Sequence, residues 1–119
     1  LCNFLNDHYN LPLFIVENGI GLKESLDEHE LIDDSFRQEY IQKHLQQLKE
    51  AIEDGCDIIG YLYWGPIDII SAGTGVIDKR YGFIYVDADN EGNGTFKRYK
   101  KRSFDWYKHV IATNGSELW

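Results

Sequence analysis

Leu11-Pro12-Leu13-Phe14-Ile15-Val16-Glu17-Asn18-Gly19 is a nearly unbroken apolar run that ends in a carboxylate, an amide and a glycine. A run that is apolar at both alternating positions belongs to a strand covered on both faces, the kind found in parallel sheets, and Pro12 suits the start of such a strand. A second run of this kind, Ile58 to Trp64, follows further along. Between the two, Ser35 and Gln38 form a capping-box pattern, and Ile41, Leu45, Leu48 and Ile52 recur at helical spacing up to Gly55. Strand, helix and strand within about 50 residues predict a crossover and a parallel pair, a βαβ unit.

Working outward, Leu1 to Tyr9 has helical spacing and is ended by Asn10 and Pro12. Lys23 to Asp34 holds six acidic residues and few large apolar ones, so an exposed loop is expected there. Gly82 to Val86 is a short strand candidate and Asp87 to Gly94 a polar turn. Ser103 to Ile111 is a closing helix with Phe104, Tyr107 and Val110 or Ile111 on one face. The class is α/β, yet one βαβ unit is too little to close a parallel sheet. A (β/α)8 barrel needs about 200 residues or more, so this chain is expected to lie beside further polypeptide.

The 119 residues include 43% hydrophobic, 14% aromatic and 27% charged residues, which excludes a disordered tract. A net charge of −8 argues against broad adhesion to nucleic acid or anionic membranes. No apolar run reaches the roughly 18 residues of a membrane span, and Leu1 to Asn10 does not have the layout of a signal peptide. Cys2 and Cys56 could make at most one bridge, have no metal-ligand spacing and read as reduced thiols, from which an intracellular address is expected. The chain contains no Met and opens in Leu1-Cys2-Asn3-Phe4-Leu5, so a piece of a longer protein is expected.

Glu17 closes a buried strand, which puts a carboxylate at the carboxyl edge of a parallel sheet, where barrel enzymes keep their reactive groups. The same residue could be an ordinary solvated glutamate at a loop start. Trp64, in Trp64-Gly65-Pro66-Ile67-Asp68, closes the second run at the same edge, as an aromatic plane for a sugar ring or as a packing residue. Ser71, Lys79, Arg80 and Tyr81 lie in a loop containing Gly73 and Gly75. A hydroxyl, an ammonium and a phenol are all donors and suit an anion such as phosphate.

Phe14-Ile15-Val16-Glu17-Asn18-Gly19 resembles the nucleophile motif of glycoside hydrolase family 1. Tyr63-Trp64-Gly65-Pro66-Ile67-Asp68 resembles that family's Trp-centred motif at the end of its eighth barrel strand. Lys79 to Asp87, Arg98-Tyr99-Lys100-Lys101 and Ser103 to Tyr107 are similar to its C-terminal end, so the resemblance spans the chain. It implies the C-terminal portion of a (β/α)8 TIM barrel, its last two strands and their helices. Residues 1–119 would then be one incomplete segment of a single glycosidase domain, with the remainder of the barrel as a partner.

Members acting on unphosphorylated sugars have an acidic residue three positions after the motif's Asp, where this chain has Ser71. A carboxylate there would repel phosphate, whereas a hydroxyl can donate to it. The resemblance therefore implies a 6-phospho-β-glycosidase with Ser71, Lys79 and Tyr81 on the phosphate and Trp64 on the sugar. Ala72, where many relatives carry Trp, favours the glucosidase branch. Glu17 is the implied nucleophile of a retaining hydrolysis, which needs a second carboxyl group about 5–5.5 Å away as acid/base. The family holds it in an Asn-Glu-Pro motif, and no such tripeptide occurs here, so the chain alone is expected to be inactive. The substrate would be a phosphorylated β-glucoside in the bacterial cytoplasm. No metal or organic cofactor is implied, and homo-oligomerisation stays open.

Two rivals remain, a non-catalytic sugar-phosphate-binding or assembly module derived from the barrel and a β-glucosidase for unphosphorylated sugars. Asp87-Ala88-Asp89-Asn90-Glu91-Gly92 imitates the start of a calcium loop, but Arg98 stands where the bidentate Glu should be. Lys97, Arg98, Lys100, Lys101 and Arg102 are expected to be a solvated basic face. The four His have no metal-ligand spacing, and Asn93-Gly94-Thr95 and Asn114-Gly115-Ser116 read as chance glycosylation patterns.

Overall fold

The computed structural model describes residues 1–119. Its elements are α1 (Cys2–Tyr9), β1 (Leu13–Ile15), α2 (Ser35–Glu53), β2 (Ile58–Tyr61), β3 (Ile84–Val86), β4 (Arg98–Lys100) and α3 (Arg102–Ala112). β1 and β2 pair in parallel around α2, as the two apolar runs predict, with Phe14 opposite Gly60 and Ile15 opposite Tyr61. The hydrogen-bonded strands are shorter than the runs. Gly60 is required by its neighbour: a Cβ there would lie 2.4 Å from the Phe14 ring, so only glycine lets that ring cross β2.

α1 ends where Asn10 turns left-handed at φ 50° and returns its N–H to the Asn6 carbonyl. α2 ends in a Schellman motif. Gly55, at φ 99°, donates to the Ile52 carbonyl and Cys56 to that of Ala51. The start of α2 differs from expectation, because Asp34 is the N-cap and no capping box forms between Ser35 and Gln38. The Asp34 carboxylate points away from the helix N–H groups. It accepts from Arg37 Nη1 at 2.6 Å and from both the backbone N–H and the hydroxyl of Ser103, at the start of α3.

The Lys23 to Asp34 segment is likewise not a simple exposed loop, since Ile32, Asp34 and the Glu24 side chain are buried. β3 and β4 form an antiparallel hairpin in the register Ile84 to Lys100, Tyr85 to Tyr99 and Val86 to Arg98. β4 was hidden inside the basic cluster, and Lys101 beside it is buried rather than solvated. The calcium-like turn spends its carboxylates on itself: Asp87 accepts from Thr95, and Asp89 from the N–H groups of Glu91 and Asn93. Between the sheets and α3, Tyr63, Phe83 and Tyr107 form an aromatic stack, with Phe83 and Tyr107 nearly parallel at 4.6 Å.

Candidate active site

Two strand ends and two loops meet at one edge of the parallel pair. Ile15 ends β1, and its carbonyl still accepts from Leu62, so the chain beyond stays in step with the chain beyond β2. Trp64 N–H then donates to the Asn18 carbonyl at 2.7 Å, which brings the Asn18-Gly19 and Tyr63-Trp64 peptides side by side. The Asn18 amide oxygen accepts from the Tyr61 hydroxyl at 2.6 Å. This fixes the residue after Glu17 from the β2 side. Glu17 itself is exposed, and Trp64 remains 39% exposed, so both are open to solvent at this edge.

The second component is the segment 68–81. Ser71 N–H donates to the Val76 carbonyl and Gly75 N–H to the Ser71 carbonyl, closing a tight turn in which Gly75 takes φ 71°. The turn returns the chain so that Ser71 Oγ and the Tyr81 hydroxyl lie 3.4 Å apart. The Lys79 ammonium sits 5.6 Å from the centre of the Tyr81 ring. Hydrogen bonding from Ser71, then the nearby Lys79, holds the Tyr81 phenol below its ordinary value, since both favour the ionised form. Ser71 is buried while Lys79 and Tyr81 are half-exposed. A hydroxyl, a phenol and an ammonium are thus brought together with access from solvent.

These loops are also tied to the segment after Glu17. Leu22 and Arg80 exchange backbone hydrogen bonds of 3.1 and 2.9 Å, an antiparallel bridge between the two segments. The Tyr81 ring lies flat against Gly21, where a Cβ would come within 2.6 Å of it. Tyr63, one residue before Trp64, donates its hydroxyl proton to the Tyr81 carbonyl at 2.9 Å. The strand-edge residues and the donor cluster therefore share one framework.

Behind them lies a feature the sequence reading missed, a buried cluster of three acids and three bases. Glu24 meets Arg37 and Lys101; Asp34 meets Arg37; Asp68 meets Arg80 at 3.0 Å and Lys101 at 2.8 Å. Burial raises the Glu24 carboxyl although Arg37 and Lys101 pull it down, and burial lowers Lys101 although Asp68 and Glu24 lift it. The nearest sequence signal was the excess of acids between Lys23 and Asp34 beside the basic run at 97–102, which can be read as mutual partners only once the fold is known.

The glycosyl hydrolase family 1 profile matches residues 1–116. The chain is 58% identical over 116 residues to the aryl-phospho-beta-D-glucosidase BglH of Bacillus subtilis strain 168, covering 98% of this chain and 25% of that protein. It is 55% identical over 118 residues to the phospho-cellobiase of Klebsiella oxytoca, covering 99% of this chain and 25% of the relative. Among solved structures, the family 1 β-glucosidase from Thermotoga maritima superposes with a TM-score of 0.86 at 32% identity, over 98% of this chain and 25% of that one. The chain thus spans about a quarter of the length of the relatives it matches. Its parallel pair and helices are the C-terminal portion of a (β/α)8 barrel.

Proposed function

The chain belongs to glycosyl hydrolase family 1, and from that membership we propose that it serves as the C-terminal part of a retaining 6-phospho-β-glucosidase. The whole enzyme would hydrolyse 6-phospho-β-glucosides to glucose 6-phosphate and an aglycone or glucose. In this reading residues 1–119 are one segment of a single barrel domain, and the remaining strands supply the second carboxyl group. Glu17 attacks the anomeric carbon as the leaving oxygen takes a proton from that second group. A glycosyl ester on Glu17 forms, and water then releases the sugar with its configuration retained. Trp64, open to solvent at the same edge, offers its indole to the sugar ring.

The observation that carries the substrate class is the convergence of Ser71, Tyr81 and Lys79, with the hydroxyls 3.4 Å apart and the ammonium over the phenol ring. Three donors without a carboxylate among them suit a phosphate dianion, and the relatives' names, a phospho-cellobiase and an aryl-phospho-beta-D-glucosidase, support the same choice. No helix is long and apolar enough to cross a membrane. A bacterial cytoplasmic setting fits the bacterial sources of those relatives and a substrate that is already phosphorylated.

The test is Lys79→Ala in the full-length enzyme, assayed on a chromogenic 6-phospho-β-glucoside and its unphosphorylated twin. Loss of one charge-assisted contact should lower kcat/KM on the phosphorylated substrate by roughly 10- to 100-fold while sparing the twin. Equal losses on both would sink the phosphate assignment.

A further inference from the structure

The three proposed phosphate donors come from two separate stretches of chain, Ser71 from one and Lys79 with Tyr81 from the other. Three residues before Ser71 stands Asp68; between Lys79 and Tyr81 stands Arg80. Both are buried, and they face each other, with Arg80 Nη1 donating to Asp68 Oδ2 at 3.0 Å. We propose that the Asp68–Arg80 pair is a positioning device for phosphate selectivity, fastening the two stretches at the spacing that lets Ser71, Lys79 and Tyr81 grip one phosphate. The inference rests on the phosphate reading above and adds the residues that set its geometry.

Both partners are held by β3 independently of each other. Asp68 takes a proton donor at each available site: Gly82 N–H and Lys101 Nζ on Oδ1, Arg80 and Val86 N–H on Oδ2. Its own N–H donates to the Ile84 carbonyl. Arg80 spends its guanidinium on the Val86 carbonyl at 2.8 Å and the Ala88 carbonyl at 2.9 Å, with its plane 3.9 Å above the Tyr85 ring. Its backbone is meanwhile occupied by Leu22, and its carbonyl also accepts from Arg37 Nη2. Gly82 allows the close approach, because a Cβ there would lie 2.5 Å from the Asp68 nitrogen. With Arg80 turned inward and fixed at so many points, Lys79 and Tyr81 on either side are set by the backbone between them. Asp68 fixes the start of the turn that presents Ser71.

Arg80 touches no proposed substrate atom, so its effect should appear as geometry rather than charge. Arg80→Lys in the full-length enzyme keeps a cation for Asp68 but loses the fork that reaches Val86 and Ala88. The expected result is a KM for the 6-phospho-β-glucoside raised by about tenfold with kcat largely kept, against a change of less than about threefold on the unphosphorylated twin. Lys79→Ala run alongside separates the two ideas. If Lys79→Ala abolishes discrimination and Arg80→Lys leaves it intact, or lowers both substrates equally, the positioning role is overturned and the phosphate reading stands. If Lys79→Ala itself fails to discriminate, the phosphate reading has failed. Should Arg80→Lys not fold, Tyr85→Leu removes only the ring beneath the guanidinium; a smaller shift in the same substrate ratio supports the device, and an unchanged ratio overturns it.

Discussion

Tyr81 is the residue whose chemistry is most exposed to its surroundings. Ser71 and Lys79 hold its phenol below the ordinary value of 10.0. A lowered phenol pKa means that the phenolate forms earlier as pH rises, and an anion on the proposed phosphate grip repels its ligand. We expect kcat/KM for the phosphorylated substrate to fall on the alkaline side before pH 10, with no matching fall for the unphosphorylated twin. In Lys79→Ala the residual alkaline fall should move to higher pH, because one of the groups that favour the phenolate is gone. Paired pH profiles on the two substrates read this directly, and superimposable profiles would exclude Tyr81 from the grip. Ser71, Lys79 and Tyr81 stand out in the sequence as donors within one loop, because that chemistry is local, and the family resemblance is what groups them as a proposed phosphate grip. Arg80, between two of them, was counted only as one more residue of the same loop. Its inward turn depends on Asp68 and β3, which a reading of neighbours cannot supply.

Elements show the same division. α2 and α3 announce themselves by apolar period and β1 and β2 by nearly unbroken apolar runs, patterns that lie within each element. β4 does not: Arg98-Tyr99-Lys100 has a strand's geometry only because Ile84–Val86 stands opposite, and its polarity reads as a solvated run. Lys101 at the end of that run is buried because Glu24 and Asp68, far away in sequence, close around it. The same cluster makes the joint between the Glu24 segment, α2 and α3 sensitive to pH in a defined direction. Burial puts the Glu24 carboxyl above its ordinary 4.5. The folded protein therefore keeps that proton where the unfolded chain has lost it, so the group favours folding most below pH 4.5 and progressively less as pH rises through the raised value. Glu24→Gln removes the titration. Thermal unfolding of the full-length protein at pH values across that window should show wild type losing stability relative to the Gln variant as pH increases, and a trend of opposite sign would refute the assignment.

At the scale of the molecule, the radius of gyration is 16.3 Å, against about 13.5 Å for a compact domain of this length. The accessible area is 7738 Å², against about 6,700 Å² for a compact monomer of this mass. Large apolar side chains stand exposed along the parallel pair, where Val16, just past β1, is 68% and Ile59, in β2, 65% exposed. Two open clefts flank it, one lined by Leu45, Leu48, Ile59 and Ile111, the other by Leu1, Ile15, Leu48 and Tyr61. Such flanks belong against further barrel strands and helices, and left bare they favour association. Residues 1–119 produced alone should therefore sediment as aggregates or oligomers, bind a hydrophobic dye and hydrolyse neither substrate. A dye-silent monomer of 13.9 kDa would contradict this. The buried ionic cluster has a different reach, since every member lies between Glu24 and Ser103. Its first three members, Glu24, Asp34 and Arg37, sum to one negative charge, and its last three, Asp68, Arg80 and Lys101, to one positive charge. A genetic crossover between related enzymes that falls inside α2 or β2 leaves each half reliant on a counter-charge inherited from the other parent. One that falls before Gly21 passes the phosphate grip and its supports to the offspring as a single heritable block.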